Sequence, residues 1–431
     1  MTDKWRQAQT ESCTKFNNIN FTYRAVRDLI EQWGIEVLKG IGRMLLHPVF
    51  YYAFFLAAVL GVSRVKRERK NFTVRAQDAY FELRQLVPAG LFAGLLLSLI
   101  VLVSGVVVPV AAIMLAALFT LLFSLAGNMR FIGPAYTVGA AFFALIYLGG
   151  KNFNIPFVRE AFETASGRIY PSIAVLIALL LIAEGILLLK RGSIGTSPKL
   201  ITSKRGQRVG VHEARRLWLV PVFLFIPGSV LTLPFDWWPV FSIGENTYSL
   251  FLVPFAIGMH QQIQGMLPAE GVRGYGKKVT TLGVLVLLVS AAGYWYPVAA
   301  IGAAALAILG REAIAFIQKV KEENRPFYFS RKNEGLMIIG ILPGSPADNM
   351  DLKVGELISK ANGMPVRNEN ELYEALLQNR AHCKLEVFDA NGQIRFVQRA
   401  LYENDHHELG ILFVHEDRKW DEKAVCVIFH K

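Results

Sequence analysis

Cysteine is scarce in this chain: three residues in 431, at Cys13, Cys383 and Cys426. An odd, widely spaced set makes no disulfide framework and fits a reducing compartment for the C-terminal part. No Cys/His spacing suits zinc, so no metal is expected. Acidic residues are also in deficit, 34 against 46 Lys and Arg. That deficit is local. Residues 331–431 carry 13 Lys and Arg against 16 Asp and Glu, so the positive excess lies wholly in the preceding part. The chain as a whole is 53% hydrophobic, too apolar for an ordinary soluble enzyme of this length. Positive charge flanking long apolar runs marks cytoplasmic loops and argues against a nucleic-acid patch.

Catalytic signatures are missing too. His212-Glu213-Ala214-Arg215-Arg216 begins like a metalloprotease helix but lacks the second His, and it reads as part of a loop. Pro227-Gly228-Ser229-Val230 lacks the glycines of a nucleophile elbow. With neither a P-loop nor a dinucleotide fingerprint present, no catalytic residue, cofactor or small-molecule substrate is expected. The polar start, residues 1–28, has no apolar core of a signal peptide. It reads as an extension outside the native protein, with a start near Val26 or Leu29. Helical spacing tightens over Leu29–Met44, where Trp33, Val37, Leu38, Ile41 and Met44 recur, as in a helix lying at a membrane interface.

Crossing a bilayer takes about 20 apolar residues. Runs of that order fall at Met44–Ser63, Leu91–Val108, Ala111–Ala126, Phe131–Leu148 and Ser172–Leu189, then at Leu217–Leu233 and Val240–Met259, and last in a hairpin of Val279–Tyr294 with Tyr296–Ile314. These predict a polytopic α-helical membrane domain over 29–317 with eight or nine spans. The basic stretches Arg64–Lys70, Lys190–Arg216 and Gln261–Lys278 belong in cytoplasmic loops. Parity then leaves the C-terminal region inside the cell. Glu184 is the one conspicuous charge inside an apolar run; ionisable groups there often mark function, but snorkelling or a helix contact serves as well. Arg311–Arg325 reads as a charged helix leaving the bilayer, ended by Pro326, and residues 318–330 as a short linker.

The last region, 331–431, is patterned differently. Leu336, Ile338, Ile339 and Ile341 run into Pro343-Gly344-Ser345-Pro346-Ala347, followed by Leu352-Lys353, Gly355-Glu356-Leu357-Ile358 and Asn362-Gly363. Strand, turn, short helix, turn and strand in so few residues suggest a small, partly open β-barrel. Glu371–Gln378 is a helix with Leu372, Ala375 and Leu376 on one face, and Lys384–Phe388 and Ile394–Ala400 form a hairpin about Asp389-Ala390-Asn391-Gly392. The Pro-Gly-Ser-Pro-Ala and Gly-Glu-Leu-Ile elements resemble the bacterial PDZ signature, with Glu356 where that family usually has Asp and Met350-Asp351 where it usually has Ala-Gly. The resemblance implies an α+β PDZ-like domain, circularly permuted, that takes a peptide strand. Its carboxylate loop would be Leu409-Gly410-Ile411, continued by Leu412, with Leu372 and Leu376 receiving the last side chain. By itself Leu-Gly-Ile reads as core strand; only the Pro-Gly-Ser-Pro-Ala and Gly-Glu-Leu-Ile frame before it brings the groove reading level. His406-His407 reads as a solvated turn.

Many spans followed by one PDZ-like domain resemble the MinJ family of division-site membrane adaptors in Gram-positive rods. The likeness rests on Gln32-Trp33-Gly34-Ile35-Glu36, His47-Pro48-Val49-Phe50-Tyr51, Arg67-Glu68-Arg69-Lys70 and Asp405-His406-His407-Glu408-Leu409-Gly410. It implies a non-enzymatic bridge between a DivIVA-like pole and septum marker and the MinC/MinD division inhibitor, held in the cell membrane at septa and poles. Two rivals stay open on the residues alone: an intramembrane protease or signalling regulator, and a transporter with a regulatory PDZ domain. The missing catalytic set counts against the first, and the lack of an internal repeat against the second.

Overall fold

The structure is a computed structural model that describes residue 27 and residues 31–149, 169–232, 247–379, 382–400 and 409–414, with backbone only at 228–232 and 247. The expected N-terminal extension, apart from residue 27, and the His406-His407 turn lie outside the described residues. Helix α1 covers 31–46. There follow α2 (Pro48–Phe72), α3 (Phe81–Leu86), α4 (Pro88–Ser104), α5 (Val110–Ser124), α6 (Pro134–Leu148) and α7 (Tyr170–Arg191). Strands β1 (Ser197–Thr202), β2 (Arg208–Thr232) and β3 (Thr247–Ile263) come next, then α8 (Pro268–Ala292) and α9 (Pro297–Glu323).

Proline starts most of these helices. It stands in the first turn of α2, α4, α6, α7, α8 and α9, where its fixed φ suits the helix and its missing N–H costs nothing. Among the described residues, five helical segments are long and apolar enough to cross a membrane: α2, α3–α4 taken together, α7, α8 and α9. Helices α5 and α6 are apolar but shorter. Helix α7 sits at the centre, buried around its whole circumference, with α4, α6, α8 and α9 against it.

Two expected helical spans are strands. As far as they are described, Leu217–Leu233 falls in β2 and Val240–Met259 in β3. They pair antiparallel from His212↔Ile263 to Thr232↔Thr247, with a bulge between Pro227 and Leu231. Val220, Val222, Leu224 and Phe225 of β2 and Leu250, Val253 and Ile257 of β3 are buried among the helices. A strand buried on both faces reads as a continuous apolar run, so hydropathy cannot separate it from a helix. Pro221 and Pro254 tip the balance: each would break a helix, and they stand opposite one another in the ribbon, where neither has an N–H to leave unpaired.

Flanking segments bond several peptide groups along the ribbon's edges. Ser98 donates to the Gly94 carbonyl at 2.7 Å and accepts from the Phe223 N–H at 2.9 Å. Val108 N–H donates to the Phe225 carbonyl at 2.8 Å, and Arg43 Nη1 donates to the Leu250 carbonyl at 2.8 Å. Helix α4 comes so close that a Cβ on Gly90 or Gly94 would overlap the Leu219 or Pro221 carbonyl oxygen.

The expected basic loops are also ordered elements. Arg64–Lys70 continues α2 to its cap at Thr73, Lys190–Arg216 becomes the end of α7 with β1 and the start of β2, and Pro268–Lys278 opens α8.

The C-terminal domain comprises β4 (Leu336–Met337), β5 (Gly340–Ile341), α10 (Pro346–Asn349), β6 (Leu357–Ala361), β7 (Met364–Pro365), α11 (Glu369–Gln378), β8 (His382–Phe388), β9 (Ile394–Ala400) and β10 (Ile411–Leu412). One sheet runs β4-β6-β8-β9 with β7 beside β6, and β10 pairs separately with β5. Glu356 serves where an Asp is usual: it is buried, accepts from the Lys353 N–H at 2.9 Å and pairs with Arg395 Nη2 at 2.7 Å.

The segment joining the two domains is bound rather than loose. Tyr328 N–H donates to the Gln264 carbonyl and Gly210 N–H to the Phe329 carbonyl, both at 2.8 Å. Phe329, Ile339, Leu357 and Leu412 then share an apolar cluster with Phe72 and Ala76 of the helical domain.

Gly94→Val forces backbone against backbone and is expected to abolish the monodisperse peak of detergent-solubilised protein in size-exclusion chromatography. Gly302→Val, at a position with nothing within 4 Å, should leave that peak unchanged.

Candidate functional site

The candidate peptide site is built from the end of the chain returning to the start of the domain. Leu342 N–H donates to the Gly410 carbonyl at 2.8 Å, Ala347 N–H to the Leu409 carbonyl at 3.0 Å and Ile339 N–H to the Leu412 carbonyl at 2.9 Å. These bonds lay β10 against β5, its only strand partner among the described residues. Gly410 has φ +75°, and a Cβ there would collide with Ser345, so the turn into β10 requires glycine.

Across from β10 stands α11. Asn368 caps it by accepting from the Glu371 N–H at 2.9 Å, while Glu371 reaches back to the Arg367 N–H at 2.6 Å. Leu372 and Leu409 belong to one buried cluster, with Ile411 and Leu376 half-buried against it. Four of the six expected residues therefore fall in or against one cluster, with Gly410 at the turn between Leu409 and Ile411. Leu412 does not: successive strand residues face opposite ways, and its side chain enters the cluster shared with the helical domain. Beyond β10 a cavity of about 200 Å³ opens between Phe413, Val414 and the first turn of α11 at Asn368–Asn370.

His212 and Glu213 form no metal site. They are neighbours in β2 and face opposite ways, and no group of three or more ligating side chains occurs among the described residues. His212 is buried, its Nδ1 3.0 Å from Thr196 Oγ1, and burial lowers its pKa to about 4. Burial would raise the Glu213 carboxyl, but the His260 hydrogen bond and the charge of Arg67 outweigh it and hold it down at about 2.

Two ionic clusters escaped the sequence reading. Glu184 pairs with Arg311 at 2.6 Å, 127 residues away, and both are fully buried. Arg311 therefore belongs to the interior and not to a helix leaving the bilayer; it also donates to the Tyr275 hydroxyl. Where α2 turns basic, Arg64 binds Glu68 at 2.8 Å and Glu82 at 2.9 Å, and Arg216 binds the other Glu82 oxygen at 2.8 Å. The Phe81 ring stands against both guanidinium groups. Only the odd placement of single acids, Glu68 in a basic run and Glu184 in an apolar one, hinted at this.

Residues 337–388 match the PDZ domain family. Over 396 residues the chain is 40% identical to the cell division topological determinant MinJ of Bacillus subtilis (strain 168), covering 92% of this chain and 98% of that protein. The chain belongs to the MinJ family. A more distant relative, the probable cell division topological determinant MinJ of Lacticaseibacillus paracasei, is 24% identical over 87% of this chain and 98% of its own length. No solved structure matches this chain. The match to the Bacillus MinJ covers nearly the whole chain, so it takes in the helical domain with its ribbon as well as the PDZ domain.

In this MinJ-family chain Glu184→Gln strands a buried guanidinium, and breaking such a pair costs about 3–5 kcal/mol. Thermal unfolding in detergent should show a large loss for Glu184→Gln. Most of it should return in the Glu184→Gln/Arg311→Met double variant, where neither charge remains.

Proposed function

We propose that the chain is a non-enzymatic membrane adaptor in division-site selection, a multi-pass protein of the cell membrane that presents its PDZ domain to the cytoplasm at septa and poles. The observation that carries this reading is the near-full-length likeness to a cell division topological determinant, in a chain whose PDZ domain is seated on an apolar helical base.

The orientation follows from charge and packing together. The PDZ domain packs against β1 and the start of β2, the most basic stretch of the chain, which charge bias assigns to the cytoplasm. Replacing two helical spans by a ribbon that goes out and returns leaves the parity unchanged.

The adaptor works by raising a partner's local concentration at the membrane, which needs a docking strand and no chemistry. An extended peptide adds along the open side of β10, its terminal side chain near Leu372 and Leu376 and its carboxylate at the turn of Leu409-Gly410-Ile411. On this reading the two partners are a DivIVA-like scaffold and the MinC/MinD inhibitor.

A deletion strain should produce minicells and filaments, scored by septum position under the microscope. Normal septa with a nutrient or stress defect would sink the adaptor reading. Complementation by Gly410→Trp or Leu376→Glu should leave the protein in the membrane fraction but fail to co-precipitate the division partners that the wild-type chain captures. Undiminished capture would exclude β10 and α11 as the contact surface.

A further inference from the structure

A second cavity, of about 280 Å³, lies between the two domains. It is found where α2 passes from apolar to basic at Arg64, where α7 has just ended, and where α8 begins. Its wall includes Arg64, Gln77, Ser193, Thr196, His212 and Ala269, and the PDZ strand β5 closes one side.

Three features there point to an anion. Arg64 is only 5% exposed and spends Nε and Nη1 on Glu68 and Glu82, yet its Nη2 has no hydrogen-bond partner. Arg216, 3% exposed, likewise has an unpartnered Nη2, which lies 3.3 Å from where a Cβ on the cavity-lining Gly195 would stand. A buried guanidinium N–H without an acceptor is costly, and the one on Arg64 belongs to a residue of the cavity wall. The third feature is α8 itself. This long helix starts at the cavity, its first turn contains Ala269, and no side chain caps it. An uncapped helix start presents orphan N–H groups and the positive end of the helix dipole.

The charge balance agrees. Arg64 is the one charged residue in the cavity wall; in the ion pairs linked to it and beside it, Arg64, Arg67, Arg215, Arg216 and Lys199 outnumber Glu68, Glu82 and Glu213, Glu270 is the one acid in the first turn of α8, and burial holds His212 neutral.

We propose that this cavity binds a phosphate group, either the headgroup phosphate of an anionic phospholipid or a free phosphate. Planar guanidinium donors, a helix N-terminus and the hydroxyls of Ser193 and Thr196 suit tetrahedral oxyanion recognition. The volume leaves room for more than the bare ion. The cavity stands at the step from apolar to basic residues along α2, a step that suits a bilayer's headgroup region. Strand β5 both walls the cavity and carries β10, so an anion there braces the strand that frames the candidate peptide site.

The test uses the full-length chain, delipidated in detergent, with thermal unfolding followed as inorganic phosphate is titrated against chloride at matched ionic strength. A parallel arm compares nanodiscs of phosphatidylcholine with nanodiscs containing phosphatidylglycerol. Ser193→Asp and Gln77→Glu place carboxylates in the cavity without touching the Glu68 and Glu82 ion pairs, and unchanged elution confirms that they fold. A saturable rise in unfolding temperature is expected for the wild type, with half-saturation weakened at least tenfold in both variants. A response to phosphatidylglycerol alone identifies a lipid headgroup, and a response to inorganic phosphate identifies a soluble source. No response to either, or equal responses in wild type and variants, overturns the proposal.

Discussion

The helical domain is organised by a demand of its β-ribbon: peptide groups surrounded by apolar side chains must each find a partner. A buried polar group without one costs several kcal/mol, which excludes an open strand edge from a dry interior. Here flanking segments supply partners along the ribbon's edges. Ser98 and Val108 bond the outer edge of β2, and Arg43 bonds the carbonyl of Leu250 on β3. Pro221 and Pro254 remove two donors from the account altogether. Helix α4 must lie close for this, and Gly90 and Gly94 permit it.

The same principle governs the buried charges. Glu184 and Arg311 are each untenable alone in that interior, and together they tie α7 to α9, with Tyr275 of α8 taking a further guanidinium hydrogen. Such a pair is weak evidence of net stability, because desolvation offsets much of the attraction. Its clearer effect is on register, since only one relative placement of the helices brings the partners into contact. The Arg64–Glu82–Arg216 cluster plays the corresponding part between α2, α3 and β2.

Docking of the PDZ domain ties its own geometry to that of the helices. Alternation along β10 divides its residues, Ile411 toward α11 and Leu412 toward the cluster containing Phe72 and Phe329. The strand that frames the peptide site is therefore clamped from behind by the helical domain. On the adaptor reading, this holds the groove at a defined place above the membrane and not on a tether.

Local chemistry was legible from the residues alone: Asp389–Gly392 marked the hairpin, and the Pro343–Ala347 turn marked the PDZ domain. Each of these signals acts within a few residues, so one chain suffices to read it. Tertiary structure decided the rest. Whether Leu217–Thr232 becomes helix or strand depends on whether another strand and the flanking helices take up its peptide groups. Whether Glu184 faces lipid, water or a cation depends on a residue 127 positions away. Hydropathy reports only that a segment avoids water, and the partners that satisfy a buried polar group are fixed by packing at long range.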